Sequence, residues 1–137
     1  MTKDDDLEEG TTLSIDFGKI FQISEGSHLV VPVVVQDAET KEVLIVAYAN
    51  EEALLETFKR GEAVFFSTSR NELWHKGATS GDILSVKEVR VNCEQNSLLY
   101  LVTPEGEGAC HTRSEDDVFR SSCYYRSITS EGELRFS

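Results

Sequence analysis

Short runs of β-branched and aromatic residues, separated by polar turns, dominate the chain and predict an extended sheet. Two of these runs flank the polar turn at residues 37–41 and predict a β-hairpin. Alternation along the longest run places Val89, Val91 and Cys93 on one face. The predicted strands are, in chain order, residues 29–36, 43–48, 63–69, 83–93, 97–103 and 122–128.

One segment between these runs carries the signals of a helix. Asn50 is suited to cap its N-terminus, and the two acidic residues that follow are favoured by the helix dipole. The helix is predicted to reach Arg60 and to stop at Gly61. Together the elements predict an α+β fold with a mostly antiparallel sheet and one main helix. The helix residues expected to face inward are Ala53, Leu54 and Phe58.

Length and charge describe a single acidic domain. The 137 residues include 25 Asp or Glu against 13 Lys or Arg, and the formal charge is −12. This charge argues against sequence-independent binding of nucleic acid, which relies on clustered cations. Residues 1–12 are expected to be a disordered acidic lead-in, residues 13–128 the folded domain, and residues 129–137 a polar tail.

The chain contains no apolar run of membrane-spanning length, and its acidic N-terminus is unlike a signal peptide. A cytoplasmic location without a membrane partner is therefore expected. In a reducing compartment the three cysteines are expected to be free thiols or metal ligands rather than disulfides.

Cys93, Cys110 and Cys123 are the candidate metal ligands. None belongs to a Cys-x-x-Cys pair, so spacing alone favours the alternative that they are small buried hydrophobic residues. His111 raises the metal alternative. In a regular strand adjacent side chains point to opposite faces, so Cys110 and His111 could both bind a metal only from irregular backbone. The pair therefore suits a site in which Cys110 binds the metal and His111 works nearby. Three thiolates would leave the fourth position of zinc open to water, as in catalytic sites.

A second candidate site lies in the loop after the third predicted strand. A turn of small residues supplies hydroxyl and backbone N–H groups, which is a common way to hold phosphate. Basic residues are concentrated nearby in an otherwise acidic chain, although a solvated loop anchored by one aromatic ring is the alternative. The residues concerned are Arg70, Trp74, Lys76, Thr79, Ser80 and Gly81.

Several of these segments form a recognisable set. The loop 73–81 reads Leu-Trp-His-Lys-Gly-Ala-Thr-Ser-Gly, and Cys110 is followed directly by His111. Together with residues 47–54, the strand that ends at Cys93, and the segment around Cys123, they resemble the phosphoribosyl-AMP cyclohydrolase family of histidine biosynthesis. The similarity extends over about residues 13–128.

The resemblance implies a stand-alone, homodimeric enzyme whose sites lie between subunits. Zinc would be bound by Cys93 of one subunit and by Cys110 and Cys123 of the other. The implied reaction is hydrolytic opening of the adenine ring of phosphoribosyl-AMP at its C6–N1 bond. His111 is the candidate general acid/base, because imidazole can accept and donate a proton near neutral pH. The groups of the loop would hold phosphate or ribose.

One departure from the family concerns magnesium, which the family holds with an Asp-Cys-Asp-x-Asp motif around the first zinc cysteine. Only one carboxylate of that motif remains here, and two positions are amides. Magnesium prefers charged oxygen ligands, so its affinity is expected to be reduced or lost. The altered positions are Asn92, Glu94 and Asn96.

The other departure is an insertion between Cys110 and Cys123 that includes Glu115, Asp116 and Asp117. These acids are expected either to form a solvated loop or to replace the carboxylates lost around Cys93. In the second case, aspartates at the two altered amide positions should hardly change the magnesium dependence.

Two other functions remain open. One is a related nucleotide amidohydrolase with a changed substrate, and the other is a non-catalytic dimer with a structural zinc. A structural zinc requires none of Trp74, Lys76 or His111, so their presence favours an enzyme.

Overall fold

The fold was analysed in a computed structural model that describes residues 7–26 and 28–137. The first six residues of the expected lead-in lie outside the described residues. The elements are α1 (Lys19–Glu25), β1 (Val31–Asp37), β2 (Val43–Ala49), α2 (Glu51–Arg60), β3 (Val64–Ser67), β4 (Glu72–His75), β5 (Leu84–Val91), β6 (Leu98–Pro104), β7 (Arg126–Ile128) and β8 (Leu134–Phe136).

A four-stranded sheet in the order β2-β1-β6-β5 forms the centre of the fold. The β1–β2 and β5–β6 pairs are antiparallel, and the β1–β6 pair is parallel. The parallel pair is possible because the long connection between β1 and β6 returns the chain to the same end of the sheet. The hairpins β3–β4 and β7–β8 are separate and antiparallel. The predicted α+β class with mostly antiparallel pairing is confirmed.

The two inner strands, β1 and β6, carry much of the core, and each is paired with a neighbouring strand along both edges. Val33 and Val35 of β1 and Tyr100 and Val102 of β6 are completely buried. Phe65 of the β3–β4 hairpin packs on the same cluster, with its ring centroid 5.9 Å from that of Tyr100. The hairpin is thereby fixed on one face of the sheet, and the loop that follows β4 is directed towards the candidate site.

Helix α2 begins and ends as its sequence predicts. Asn50 Oδ1 accepts a hydrogen bond from the Ala53 N–H at 2.8 Å, and Gly61 adopts the left-handed conformation that ends the helix. The expected inward position of Phe58 is wrong, because its side chain is 63% exposed. Thr57 occupies the buried position instead, with its hydroxyl bonded to backbone groups of Ala53 and Val64.

Both ends of the chain are more structured than expected. Residues 7–9 are helical, and the backbone of residues 8–11 is bonded to the C-terminal part of the chain. Only Arg126–Ile128 of the predicted last strand is extended, and it pairs with β8 within the expected polar tail. The two segments are ordered because they hydrogen-bond to each other. Such partners cannot be predicted from the sequence of either segment alone. No helix in the described part is long and apolar enough to cross a membrane.

Candidate metal centre and active site

Cys110 and Cys123 form a thiol pair beside the start of β2. The Cys123 N–H donates to the Leu44 carbonyl at 2.8 Å, and the Cys110 N–H donates to the Arg120 carbonyl at 3.0 Å. Gly108 permits this close approach, since a Cβ there would lie 2.4 Å from the Arg120 carbonyl oxygen. The insertion between the two cysteines therefore folds back on itself and returns Cys123 to Cys110.

Cys110 is buried, and the surroundings of Cys123 disfavour a negative charge on its sulfur. Cys110 is 3% exposed, and its sulfur lies 3.0 Å from Thr112 Oγ1. Burial, followed by the neighbouring Cys110, raises the pKa of Cys123 to about 12. A thiol whose ionisation is opposed in this way, as at Cys123, gains much from a bound cation, which is the electrostatic requirement of a thiolate metal site.

A buried lysine supplies one positive charge to this region. Lys76 is only 7% exposed, and its Nζ donates to the Asp82 carbonyl at 3.4 Å. Burial lowers its pKa, whereas the charges of Asp82, Cys123 and Cys110 raise it. The ammonium is therefore placed where it can offset negative charge on the thiols. The expected role of Lys76 in holding phosphate remains a prediction, but the side chain does not lie on an open surface.

The lysine is positioned by a tight loop around Gly77. Gly77 has a φ of +83°, and a Cβ there would lie 2.3 Å from the Asp82 carbonyl carbon. The buried Asp82 carboxylate accepts a hydrogen bond from the Glu107 N–H at 2.9 Å. Sequence reasoning missed Asp82, although an acid directly after a Thr-Ser-Gly turn was the available signal.

His111 extends away from the thiol pair into an open region. The backbone here is irregular, and the imidazole is 76% exposed although Cys110 is buried. Its Nε2 lies 2.7 Å from Glu8 Oε1. The cysteine thus lies inside and the histidine outside, and their predicted roles as metal ligand and general acid/base stay predictions. Glu8 was assigned to the lead-in and had no predicted role.

Cys93 lies far from the pair within one chain. It is exposed and follows β5, at the opposite sheet edge from β2 and towards the opposite end of the strands. Three strand spacings and about five residues of rise separate the two places by roughly 20 Å. Two sulfurs on one zinc lie less than about 5 Å apart. In the described part of the chain, no three His, Cys, Asp or Glu side chains are grouped closely enough to hold a metal.

The turn beside Cys93 does not fit a magnesium site. Asn92 Oδ1 accepts from the Asn96 and Ser97 N–H groups, both at 2.9 Å, and its amide donates to Asn96 Oδ1 at 2.6 Å. The one carboxylate, that of Glu94, accepts from the Asn96 amide at 3.2 Å. The amides stabilise the turn through their own hydrogen bonds, and a single carboxylate is a poor ligand set for a hard divalent cation.

The acidic insertion forms an exposed turn near Cys110. The Ser114 N–H donates to the Val118 carbonyl at 2.9 Å, and Arg113 is bonded to the Asp117 carbonyl at 2.8 Å. Glu115, Asp116 and Asp117 are all exposed. Because this turn belongs to the Cys110 end of the fold, it does not return carboxylates to the Cys93 turn of the same chain.

The remaining predicted site residues differ in their exposure to solvent. Trp74 is partly buried, with its ring centroid 5.4 Å from that of Phe65, and it anchors the hairpin. Arg70 is exposed at the other end of this hairpin, where its Nε lies 3.7 Å from Glu72 Oε1. Thr79, Ser80 and Gly81 form an exposed turn, in which Ser80 Oγ accepts from the Asp82 N–H at 3.2 Å.

Comparison with known proteins shows which family the sequence resembles. The sequence model of the phosphoribosyl-AMP cyclohydrolase family matches residues 45–125, from β2 through both paired cysteines. The phosphoribosyl-AMP cyclohydrolase of Haloarcula marismortui is 50% identical over 74% of this chain and 78% of its own length.

Two further relatives extend the comparison. That of Rhodopseudomonas palustris strain TIE-1 is 43% identical over 94% of this chain and 76% of its own length. A histidine biosynthesis bifunctional protein of Caldanaerobacter subterraneus subsp. tengcongensis is 46% identical over 75% of this chain but only 47% of its own length. The chain therefore belongs to the phosphoribosyl-AMP cyclohydrolase family of enzymes.

Proposed function

We propose that the chain catalyses the hydrolysis of phosphoribosyl-AMP in histidine biosynthesis, with zinc as its cofactor and as a homodimer. The observation that carries the proposal is the pair of Cys110, which is buried, and Cys123, which is half-buried, with the buried Lys76 and the exposed His111 near it. This combination lies inside the segment that the family model matches. A purely structural zinc would need neither the buried ammonium nor an adjacent exposed imidazole.

The thiol pair fits zinc in its chemistry. Cys110 and Cys123 would supply two ligands, and the roughly 20 Å to Cys93 means that a third thiolate would come from a second copy of the chain. The exposure of Cys93 on a single chain is consistent with this role. When bound, zinc lowers the pKa of a coordinated water to about 7 and so supplies hydroxide near neutral pH.

The chain's own residues would manage protons and charge. Hydrolysis adds the oxygen of water to C6, breaks the C6–N1 bond and leaves a proton on the departing nitrogen. His111 is exposed and able to take up the proton of the water and to return it to N1. Lys76 would offset the negative charge of the two thiolates from the buried side. No oxidant or reductant is required.

The substrate's phosphates would be bound by exposed donors. The turn of Thr79, Ser80 and Gly81 is open to solvent, and the guanidinium of Arg70 is 60% exposed on the same hairpin-loop unit. Such groups can bind and release phosphate without a large desolvation cost. The turn at Asn92 and Asn96 does not fit magnesium, so we expect turnover that does not depend on added magnesium.

Subunit complementation tests this function most directly. Cys93→Ala and Cys123→Ala would each be expressed and loaded with zinc, and turnover of phosphoribosyl-AMP would be followed. Each variant alone should be inactive. After the two are unfolded and refolded together, half of the dimers would be mixed, and one of the two sites in each mixed dimer would be intact. Activity should then return to about a quarter of the wild-type value.

A mixture of Cys110→Ala and Cys123→Ala is the matched control, because both variants damage the same pair and no combination of them restores a site. Recovery in this control would contradict the proposed ligand set. Wild-type protein that is folded, dimeric and loaded with zinc, yet leaves phosphoribosyl-AMP unchanged, would contradict the function. Binding without turnover would point to a related amidohydrolase with another substrate.

A further inference from the structure

A segment near the N-terminus, residues 8–11, lies against the candidate catalytic histidine. We call residues 8–11 the strap. It precedes the residues that the family model matches, which begin at residue 45. Its Glu8 Oε1 lies 2.7 Å from His111 Nε2, a distance typical of a strong hydrogen bond between a carboxylate and an imidazole.

The strap is anchored through three of its backbone carbonyls. The Tyr125 hydroxyl donates to the Glu8 carbonyl at 2.7 Å, and Arg126 donates to the Gly10 carbonyl at 3.0 Å. The Leu134 N–H donates to the Thr11 carbonyl at 3.2 Å. These contacts come from the β7–β8 hairpin and the residue before it. The hairpin therefore sets the position of the strap independently of the contact with His111.

An arginine beside the strap adds a charged anchor. Arg120 is bonded to both carboxylate oxygens of Glu9, at 2.7 and 3.0 Å, and its side chain is only 13% exposed. The guanidinium lies 4.1 Å from the centroid of the Tyr125 ring, which itself stacks on Phe136. A bidentate arginine that also packs on aromatic rings has little rotational freedom, so the neighbouring Glu8 is held in place.

The Glu8 carboxylate and the His111 imidazole differ in their exposure to solvent. The carboxylate is 37% exposed, against 76% for the imidazole that it contacts. Without Glu8, an exposed side chain such as His111 would sample several rotamers.

We infer that Glu8 is a positioning residue for His111 and that the strap fixes the imidazole in the orientation that proton transfer requires. The inference rests on the proposed role of His111 as general acid/base. A carboxylate bonded to Nε2 orients the ring and selects the proton-bearing nitrogen, so Nδ1 is left to exchange the proton. In this role Glu8 would act through the imidazole and not directly on the substrate or the metal.

The kinetic test compares Glu8→Ala and Glu8→Gln with the wild type in the zinc-loaded, full-length protein. Glu8→Ala should lower kcat roughly 10- to 100-fold with little change in KM, as loss of an orienting partner does. Glu8→Gln should recover part of this loss because an amide oxygen still accepts a hydrogen bond. Glu56→Ala removes a comparable ion pair on α2 and should leave kcat unchanged. An unchanged or increased kcat for Glu8→Ala would overturn the inference.

A double-mutant cycle shows whether Glu8 acts through the histidine. His111→Gln should lower kcat strongly, and addition of Glu8→Ala to His111→Gln should cause no further decrease. Additive losses would show that Glu8 acts elsewhere. Arg120→Met releases the anchor of the strap without touching His111, and it should reproduce part of the Glu8→Ala loss in kcat.

A measurement that needs no activity separates this inference from the proposed function. Nitrogen-15 NMR of the imidazole rings should show one dominant His111 tautomer in the wild type and a mixture in Glu8→Ala. Glu62→Ala is the matched control, since Glu62 Oε1 lies 2.7 Å from His75 Nε2, and only the His75 signals should change. Unchanged His111 signals in Glu8→Ala would refute positioning by Glu8, even if phosphoribosyl-AMP proved not to be the substrate.

Discussion

At the scale of single residues, the site depends on close backbone contacts that permit no side chain. Gly77 and Gly108 each lie where a Cβ would be less than 2.5 Å from a neighbouring main-chain atom. The first positions Lys76 beside the thiols, and the second brings Cys110 against the returning insertion. Two glycines, which have no reactive group, therefore determine where Lys76 and Cys110 lie.

Gly77→Ala tests this dependence. The substitution should destabilise the protein by several kcal/mol, because left-handed backbone costs about 1 kcal/mol and the clash with Asp82 requires the loop to move. Gly81→Ala is the control, since its φ of +86° is nearly the same and nothing lies within 4 Å of the added Cβ. Urea unfolding would measure both variants. Equal losses would show that the close approach to Asp82 does not matter.

The three cysteines should differ in reactivity when metal is removed. Cys93 is exposed, whereas Cys110 is buried and the pKa of Cys123 is raised to about 12 by burial and by Cys110. A raised pKa keeps the protonated thiol dominant until the pH exceeds the raised value, and thiolate is the reacting form. At pH 8, iodoacetamide should therefore label Cys93 first, as followed by peptide mass spectrometry. Labelling of Cys123 at the rate of Cys93 would contradict the described environment.

At the scale of elements, α2 is connected to the site through a buried hydroxyl. Thr57 Oγ1 accepts from the Val64 N–H at 3.0 Å and bonds the Ala53 carbonyl at 2.9 Å, which joins the helix to the start of β3. Strand β3 pairs with β4, and the loop after β4 delivers Lys76. A small shift of α2 can therefore be transmitted through the β3–β4 hairpin to Lys76 and the thiol pair.

Thr57→Val should destabilise the fold by about 1–3 kcal/mol, because the shape is kept while buried backbone groups lose their hydrogen-bond partner. Thr103→Val in β6 is the matched control. The same chemical change there removes no side-chain hydrogen bond to the described part of the chain and should cost less than about 0.5 kcal/mol. Denaturant titrations of both variants would provide the comparison. A loss at Thr57 no larger than that at Thr103 would refute the argument.

At the scale of the whole molecule, the charge of −12 opposes compaction. Among the described residues, most ion pairs are exposed, and such pairs contribute little stability. Long-range repulsion between carboxylates therefore remains largely uncompensated. Salt should act mainly on this repulsion.

Raising NaCl from 0.1 M to 1 M should increase the melting temperature, since the screening length falls from about 10 Å to about 3 Å. A variant with Glu25, Glu105 and Glu131 all changed to Gln has three fewer negative charges and should show a smaller increase. Thermal unfolding followed by circular dichroism would measure both. A melting temperature that falls with salt would show that attractive pairs, such as Arg120 with Glu9, outweigh the repulsion.

The sequence by itself determined the local elements and the chemical components. The short apolar runs predicted β1, β2, β3, β5 and β6 but missed β4 and β8. The Asn50 cap and Gly61 stop predicted α2 within a residue, because these signals act between near neighbours. The motifs identified the cysteines, Lys76 and His111 as a set. Phe58 was misplaced because helix periodicity alone does not say which stripe the sheet covers.

The tertiary structure decided which components meet. Only folding brings Cys110 and Cys123 together, buries Lys76 beside them and leaves Cys93 at the far edge of the sheet. It also brings Glu8 to His111 across a separation of 103 residues. Contacts of this kind depend on how the sheet and hairpins pack. A local sequence pattern cannot predict a contact between residues so far apart in the chain, so the sequence alone gave no reason to assign a role to Glu8.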